Sequence, residues 1–483
     1  MGIKKNFLYN LFLTLSNYIT GLIVFPYISR VFGVSNVGIV GFVDNTINYF
    51  ILFATMGIGT IGAREIARVK ANSNNLNSVF NSLLALSSFF LVIVVMTYFL
   101  LIYSVPNFFQ YKNLFLIGSA KLVFTVYSIE WFYRGIENFK FISIRNGAVK
   151  FVYLILIFLF VNNESDVEVY FFITVLSVIV SSLINLWYSR RFVSFSFKNI
   201  SVTPFIKQVL YIGSYSLLTS MYTTFNIMYL GFVSDSTEVG YYWTALKVYT
   251  IILGFYTAFT GVMMPRMSGL VVRMELDKFE ELIRKSFDLL LSFVLPIIIA
   301  STILAPEIIF LLSGAGYEGA ITPMQIVMPL LLVVGIAQVI AIQVLMPLKH
   351  DSQILKASII GAVIGVLGNL ILVPKYESVG TACVLLFTET VVTAYYVIYS
   401  HKHKVISYSF EMLKKHLVVL LPYVIVNVIL NTLFSSSVIT IIIALTINGV
   451  IFFLSHLFYI KNEFVYKYIM ELMGKIKILL INK

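Results

Sequence analysis

Apolar residues fall in continuous runs of about twenty along nearly the whole chain, each closed by a short polar interval. The runs lie at 7–29, 38–62, 78–103, 113–134, 141–161, 168–188, 209–232, 239–264, 288–312, 323–347, 353–373, 377–399, 413–433 and 437–459. As helices, runs of this length cross a hydrocarbon layer of roughly 30 Å. Apolar positions inside them are contiguous rather than alternating with period two, which excludes a membrane β-barrel. The pattern predicts an all-α polytopic membrane protein of about fourteen transmembrane helices. The first run follows Lys4 and Lys5 as a signal peptide would. It lacks a small-residue cleavage site and closes on Pro26 and Tyr27, so it is read as an uncleaved span.

Composition narrows the class further. Of 483 residues, 59% are hydrophobic and 12% charged, and the mean hydropathy is +0.93. Soluble domains run at about 45–50% apolar and about 25% charged. A single cysteine, Cys383, lies in an apolar run, so no disulfide framework exists. The net charge of +12 is spread in short clusters between spans rather than in a basic domain, so no nucleic-acid partner is expected. Those clusters set the orientation. With the N-terminus cytoplasmic, 28 of the 34 Lys and Arg fall in inner segments. The outer loops hold Arg30, Lys112 and Lys375 and are otherwise acidic, as at Glu164, Asp166, Asp235 and Glu238. Both termini are expected inside. The longest inner connection, 266–288, places Val272, Leu276, Phe279, Ile283 and Phe287 at helical spacing, with Glu280–Arg284 and Glu281–Lys285 as i,i+4 pairs. It reads as an interfacial amphipathic helix, as does the tail after Lys461.

The chain also resembles itself at an offset near 200. Val37-Gly38 matches Val239-Gly240 and Arg64 matches Arg266, both at 202. Pro106 pairs with Pro306, Gly147-Ala148-Val149 with Gly361-Ala362-Val363, and Tyr188-Ser189 with Tyr399-Ser400. Order and near-constant spacing, rather than any one match, are the signal. Six spans per copy, an even number, make this a parallel repeat. The expected organisation is two six-helix lobes, 1–200 and 201–405. Two additional helices and an amphipathic cytoplasmic tail follow over 406–483.

No phosphate-binding loop, nucleophile–base grouping or metal-ligand spacing is visible, so the expectation is a transporter rather than an enzyme, without cofactor or metal. His350, His401, His403, His416 and His456 show no ligand spacing with Cys383 or with carboxylates, and His401 and His403 read as part of a basic cytoplasmic loop. Ionisable residues inside spans carry more information, because each costs about 2.5–3.5 kcal/mol at a helix centre on insertion scales. These are Asp44, Lys121, Lys150, Lys247 and Glu389. They admit two readings: structural ion pairs such as Asp44 with Lys247 and snorkelling lysines, or a hydrated cationic cavity formed by Lys121, Lys150 and Lys247. Polar stripes favour the cavity. Lys247, Thr250, Gly254, Thr257 and Gly261 share a face, and Asn10, Thr14, Asn17 and Gly21 do likewise; Asn48 joins Asp44, and Tyr222 joins Asn226. Asp44 and Glu389 are the candidates for ion coupling.

Three segments resemble a known family. They are N-x-x-x-x-x-x-x-x-P-Y-I-S-R-V-F-G over Asn17 to Gly33, then G-I-G-T-I-G-A-R-E-I-A over Gly57 to Ala67, and E-W-F-Y-R-G-I-E-N-F-K from Glu130. They are similar to the polysaccharide transporter flippases, the Wzx-like O-antigen and capsule group of the superfamily that also holds multidrug exporters and lipid II flippases. The resemblance implies a MATE-like V of two lobes in the bacterial cytoplasmic membrane. It also implies, as substrate, a polyprenyl-diphosphate-linked oligosaccharide moved between leaflets, with other polysaccharide-assembly proteins as possible partners. A diphosphate suits lysines; sugars suit hydroxyls, amides and tyrosine faces. A multidrug or cation antiporter on the same fold should instead gather carboxylates. A membrane-embedded polymerase or glycosyltransferase should carry a large outer loop, and no outer loop exceeds about a dozen residues.

Overall fold

The computed structural model describes residues 3–196, 200–403, 410–433 and 437–460. The tail after Lys461 and the side chain of Asn10 lie outside the described residues. Among those described, the chain is helical with no strand. The first ten helices are α1 (Ile3–Thr55), α2 (Ile58–Val69), α3 (Ser73–Ser104), α4 (Pro106–Phe109), α5 (Lys112–Val126), α6 (Glu130–Gly135), α7 (Phe139–Phe160), α8 (Val167–Ser189), α9 (Thr203–Ser220) and α10 (Phe225–Val233). There follow α11 (Ser236–Val272), α12 (Leu276–Ile303), α13 (Ala305–Ser313), α14 (Ile321–Val327), α15 (Leu330–Gln338), α16 (Asp351–Lys402), α17 (Phe410–Leu433) and α18 (Ser437–Ser455).

Among the described residues eleven helical stretches are long and apolar enough to span a membrane, where fourteen were expected. The difference has three local causes. α1 carries the first two expected spans, joined through a kink at Gly33, whose φ of 70° is open to glycine at no steric cost. Pro26, two turns earlier in the same helix, removes a further backbone donor. α16 likewise carries two expected spans, bent at Glu377 with a φ of 46°. The expected span at 209–232 is broken between Ser220 and Phe225 into α9 and α10, each too short to count. The segment 266–288 is not a separate interfacial helix. Its first part completes α11 and its second opens α12, where Phe279 and Ile283 are buried while Val272 stays exposed. Between them, hydrogen bonds from Lys278 and Arg273 hold the Glu275 carboxyl below its ordinary range.

The chain divides into two compact units. One comprises Met1–Trp243 with Ser358–Thr388, the other Thr244–Ala357 with Glu389–Lys483. In the first unit the segments that carry the family resemblance build the scaffold. Gly62 of α2 lies beneath the Trp131 indole, where a Cβ would sit 2.5 Å from the ring. Gly135 of α6 lies against Ile66 at 2.6 Å by the same measure. These glycines let α2 and α6 pack in close contact within a core of Ile58, Ile61, Ile66, Phe80, Phe132 and Tyr133. The Tyr133 hydroxyl donates to the Asn185 carbonyl of α8, and Lys70 pairs with Glu137 at 2.7 Å.

Two repeat-related dipeptides meet in this unit. Gly38 and Gly240 let the α1 backbone approach the start of α11 so closely that a Cβ on Gly38 would lie 2.7 Å from the Gly240 amide nitrogen and inside the Ser236 carbonyl oxygen. The Ser35 and Ser236 hydroxyls are 2.6 Å apart beside them. The middle of α16 is tied in by Ser234, which donates to Glu377 at 2.8 Å, and by Asn369, which donates to Asn226 at 2.7 Å. In the second unit α17 packs along α12, and α18 packs against α13 around Leu304, Leu430 and Ala444.

Candidate functional site

In the first unit Asp44 and Asn48, one turn apart on α1, face α5 together. The Lys121 ammonium is 2.5 Å from Asp44 Oδ1 and donates to Asn48 Oδ1 at 2.9 Å, while Asn48 Nδ2 donates to Asp44 Oδ2 at 3.2 Å. The lysine and aspartate side chains are 12% and 24% exposed. The triad closes on itself and leaves one lysine donor over. Asp44 therefore pairs with Lys121. The two groups lie on adjacent helices at matching depth, a relation that no linear spacing encodes.

A second polar seam joins α1 to α7. Ser143, Asn146 and Lys150 follow helical spacing; Ser143 donates to the Tyr9 carbonyl at 2.7 Å and Asn146 to Ser16 Oγ at 3.3 Å. Lys150 donates to the Asn17 amide oxygen. Among the described residues that amide is its hydrogen-bond partner, and no carboxylate is in ion-pair range. One turn towards the α7 N-terminus, Arg145 is 5% exposed and pairs with Glu130 at 2.8 Å. Glu130 also meets Arg134 at 3.5 Å.

The remaining expected residues divide between the units. Tyr222, in the break between α9 and α10, is buried with its Cβ against Gly365. Asn226 is fully buried; it donates to the Tyr222 carbonyl at 2.8 Å and accepts from Asn369, so it forms an amide pair inside the protein instead of lining an opening. Lys247, in the second unit, is half-buried on α11. Thr250 returns its hydroxyl to the Leu246 carbonyl at 2.8 Å, and Thr257 further along the stripe accepts from Gln338 at 3.0 Å. Glu389 is half-buried on α16 with no hydrogen bond or ion pair among the described residues.

The structure adds a cluster that sequence reasoning missed. His416 of α17 is 3% exposed, with Nε2 3.3 Å from Asp288 and 3.1 Å from Ser292 of α12. The Asn427 and Asn448 amides exchange hydrogen bonds at 3.1 and 3.0 Å between α17 and α18. The available signal was Asp288 opening an apolar run with Ser292 one turn on; nothing local pointed to His416.

This is a multi-pass α-helical membrane protein with ion pairs and amides inside its helical units. The chain belongs to the polysaccharide biosynthesis protein family, whose sequence model matches residues 3–271. A candidate O-antigen transporter of Escherichia coli (strain K12) is 25% identical over 417 residues, covering 84% of this chain and 98% of that protein. Its counterpart in Shigella dysenteriae is 22% identical over 404 residues, covering 81% and 98%. Among solved structures, the lipid II flippase MurJ in an inward closed conformation superposes with a TM-score of 0.76 at 16% identity. That match covers 93% of this chain and 98% of MurJ. A multidrug resistance MATE family transporter of the MOP superfamily, inward-facing, gives 0.62 at 17%, covering 83% and 95%. These likenesses establish the fold, and with it the MATE-like expectation drawn from the sequence.

Proposed function

We propose that this protein is a flippase, a transporter rather than an enzyme. In this reading it carries a polyprenyl-diphosphate-linked oligosaccharide across the bacterial cytoplasmic membrane by alternating access, for surface polysaccharide synthesis. The observation that carries the reading is Lys150. An ammonium inside a spanning helix is costly unless its charge is met, and here its partner is a neutral amide. An anionic substrate group would complete it. Lys121, with a donor to spare, is the further cation assigned to the diphosphate, and Asn17 and Asn48 are assigned to the sugars. Relatives named for O-antigen transport and a shared fold with a lipid II flippase support this substrate class. An exporter of organic cations gains nothing from a lysine held this way.

Lys150→Gln is expected to accumulate normally and to export poorly. Losing one charge-assisted hydrogen bond of about 1.5–3 kcal/mol corresponds to about a ten- to hundredfold loss of affinity. The assay is restoration of surface polysaccharide in a flippase-null strain making the matching glycan, with protein level measured in parallel. Wild-type surface polysaccharide from Lys150→Gln at wild-type abundance would remove the observation on which the proposal stands.

For ion coupling we favour Glu389 over Asp44, because Asp44 is committed to Lys121 whereas Glu389 has no such partner among the described residues. Glu389→Gln vesicles are expected to lose the response of transport to an imposed proton or sodium gradient; an undiminished response rejects Glu389. Orientation has its own test. In a Cys383→Ser background, Asp166→Cys in intact cells should react with an impermeant thiol reagent and Lys278→Cys should not. Equal labelling rules out the assignment of both termini to the cytoplasm.

A further inference from the structure

Between the first turns of α7 and the last turns of α8 lies a cleft of about 400 Å³, lined by neither Lys121 nor Lys150. Its size falls in the range of small-ligand sites. Lys140 and Arg145 border it, Ile144, Ala148 and Ile184 give it an apolar wall, and Tyr188 lines it as well. The Tyr188 ring stacks on Phe141 at 3.9 Å, and the Arg191 guanidinium lies 5.1 Å from the same ring and 5.8 Å from Trp187. Arg145 is the informative member. Its side chain is 5% exposed, one nitrogen is committed to Glu130, and its buried Nε has no partner among the described residues. A guanidinium donor without an acceptor in a buried position is costly and calls for an anion.

The surroundings say where that anion comes from. Along α7 beyond the cleft Phe151, Ile155 and Phe158 are exposed, and along α8 Val180 and Leu183 are exposed. This is a lipid-facing surface on a membrane protein. Trp187, 63% exposed beside Arg191, has the amphipathic character of a residue at the membrane–water boundary. Cations at one end of a cleft and an aliphatic wall leading into a lipid-facing surface match a molecule with a phosphate at its head and a chain behind it. A free phosphate would leave the apolar wall unused. A choline headgroup would bring a fixed cation against Lys140 and Arg145. Basic clefts between helices near the membrane surface are a general setting for anionic headgroups.

We infer that the α7–α8 cleft binds the phosphate headgroup of an anionic glycerophospholipid, with an acyl chain lying along Ile144, Ala148 and Ile184. This holds whatever the transported substrate is.

The test is native mass spectrometry of the purified full-length chain, titrated separately with phosphatidylglycerol, phosphatidylcholine, glycerol phosphate and undecaprenyl phosphate. One phosphatidylglycerol is expected to be retained in preference to phosphatidylcholine. Lys140→Gln should weaken it about fivefold, equivalent to about 1 kcal/mol. Ile144→Trp, which fills the cleft from an exposed position, should abolish it with the melting temperature unchanged, while the distant Lys278→Gln should have no effect. Equal retention of the two phospholipids would overturn the inference, as would indifference to both cleft variants. Glycerol phosphate binding as well as phosphatidylglycerol would reduce the cleft to a phosphate site. Preference for undecaprenyl phosphate would make it a cargo site instead. Each of these also overturns the phospholipid assignment, and none depends on a transport assay.

Discussion

Gly38→Ala is expected to remove most folded protein from the membrane fraction. The added methyl would lie inside the Ser236 carbonyl oxygen and 2.7 Å from the Gly240 amide nitrogen, and neither backbone group can rotate away as a side chain can. Relief requires α1 and α11 to separate along the contact that Ser35 and Ser236 also share. Overpacking a tight site costs about 1–3 kcal/mol, and a rigid backbone neighbour places this substitution at or above the upper end. Gly240→Ala should act likewise, since its Cβ would meet the Val34 carbonyl and lie 2.8 Å from Val34 Cγ2. Gly21→Ala, on the same helix with nothing within 4 Å, serves as the control and should be neutral or slightly stabilising. The measurement is the monodisperse fraction and melting temperature of detergent-extracted protein. Gly38→Ala with the yield and melting temperature of wild type would show that the two helices do not depend on this approach.

The second large effect is a reversal by double substitution at Asp44 and Lys121. Lys121→Gln leaves a partly buried carboxylate without its cation, and Asp44→Asn leaves a partly buried ammonium without its anion. Breaking a buried pair from one side costs about 3–5 kcal/mol. With the two side chains 12% and 24% exposed, solvent screening reduces this to about 1–3 kcal/mol. Asp44→Asn/Lys121→Gln removes both charges and keeps groups able to hydrogen-bond Asn48, so accumulation and melting temperature should return close to wild type. Export should not return if Lys121 also serves the diphosphate. The cycle thereby separates a structural from a transport role in the same residue. Single variants as stable as wild type would mean that the pair contributes nothing to the fold.

The sequence made the spans legible because a membrane demands long uninterrupted apolar runs, and it made α1 divisible at Gly33 because P-Y-I-S-R-V-F-G ends in the residue that tolerates positive φ. It also divided α16 at 374–376, where Pro374 stands three residues before the bend at Glu377, but it did not announce the break after Ser220, which contains no proline or glycine. Asp44, Lys121 and Lys150 were legible as costly residues, yet their partners were not. Asp44 and Lys121 are 77 positions apart, Asn17 and Lys150 are 133 apart, and the side chains meet only once the helices have packed. Asn226 looked like part of a polar lining because a stripe shows which face a residue occupies and not what covers it. The covering residue, Asn369, lies 143 positions on.

The His416 cluster has a temporal side. Ser292 and His416 are 124 residues apart, and a ribosome adding about 5–20 residues per second takes roughly 6 to 25 seconds to cover that distance. During that interval α12 has already been made and the helix that supplies His416 has not. Asp288, a carboxylate at the head of an apolar stretch, must wait at the water boundary or in the company of an insertion factor. α17 thus completes a polar contact begun more than a hundred codons earlier.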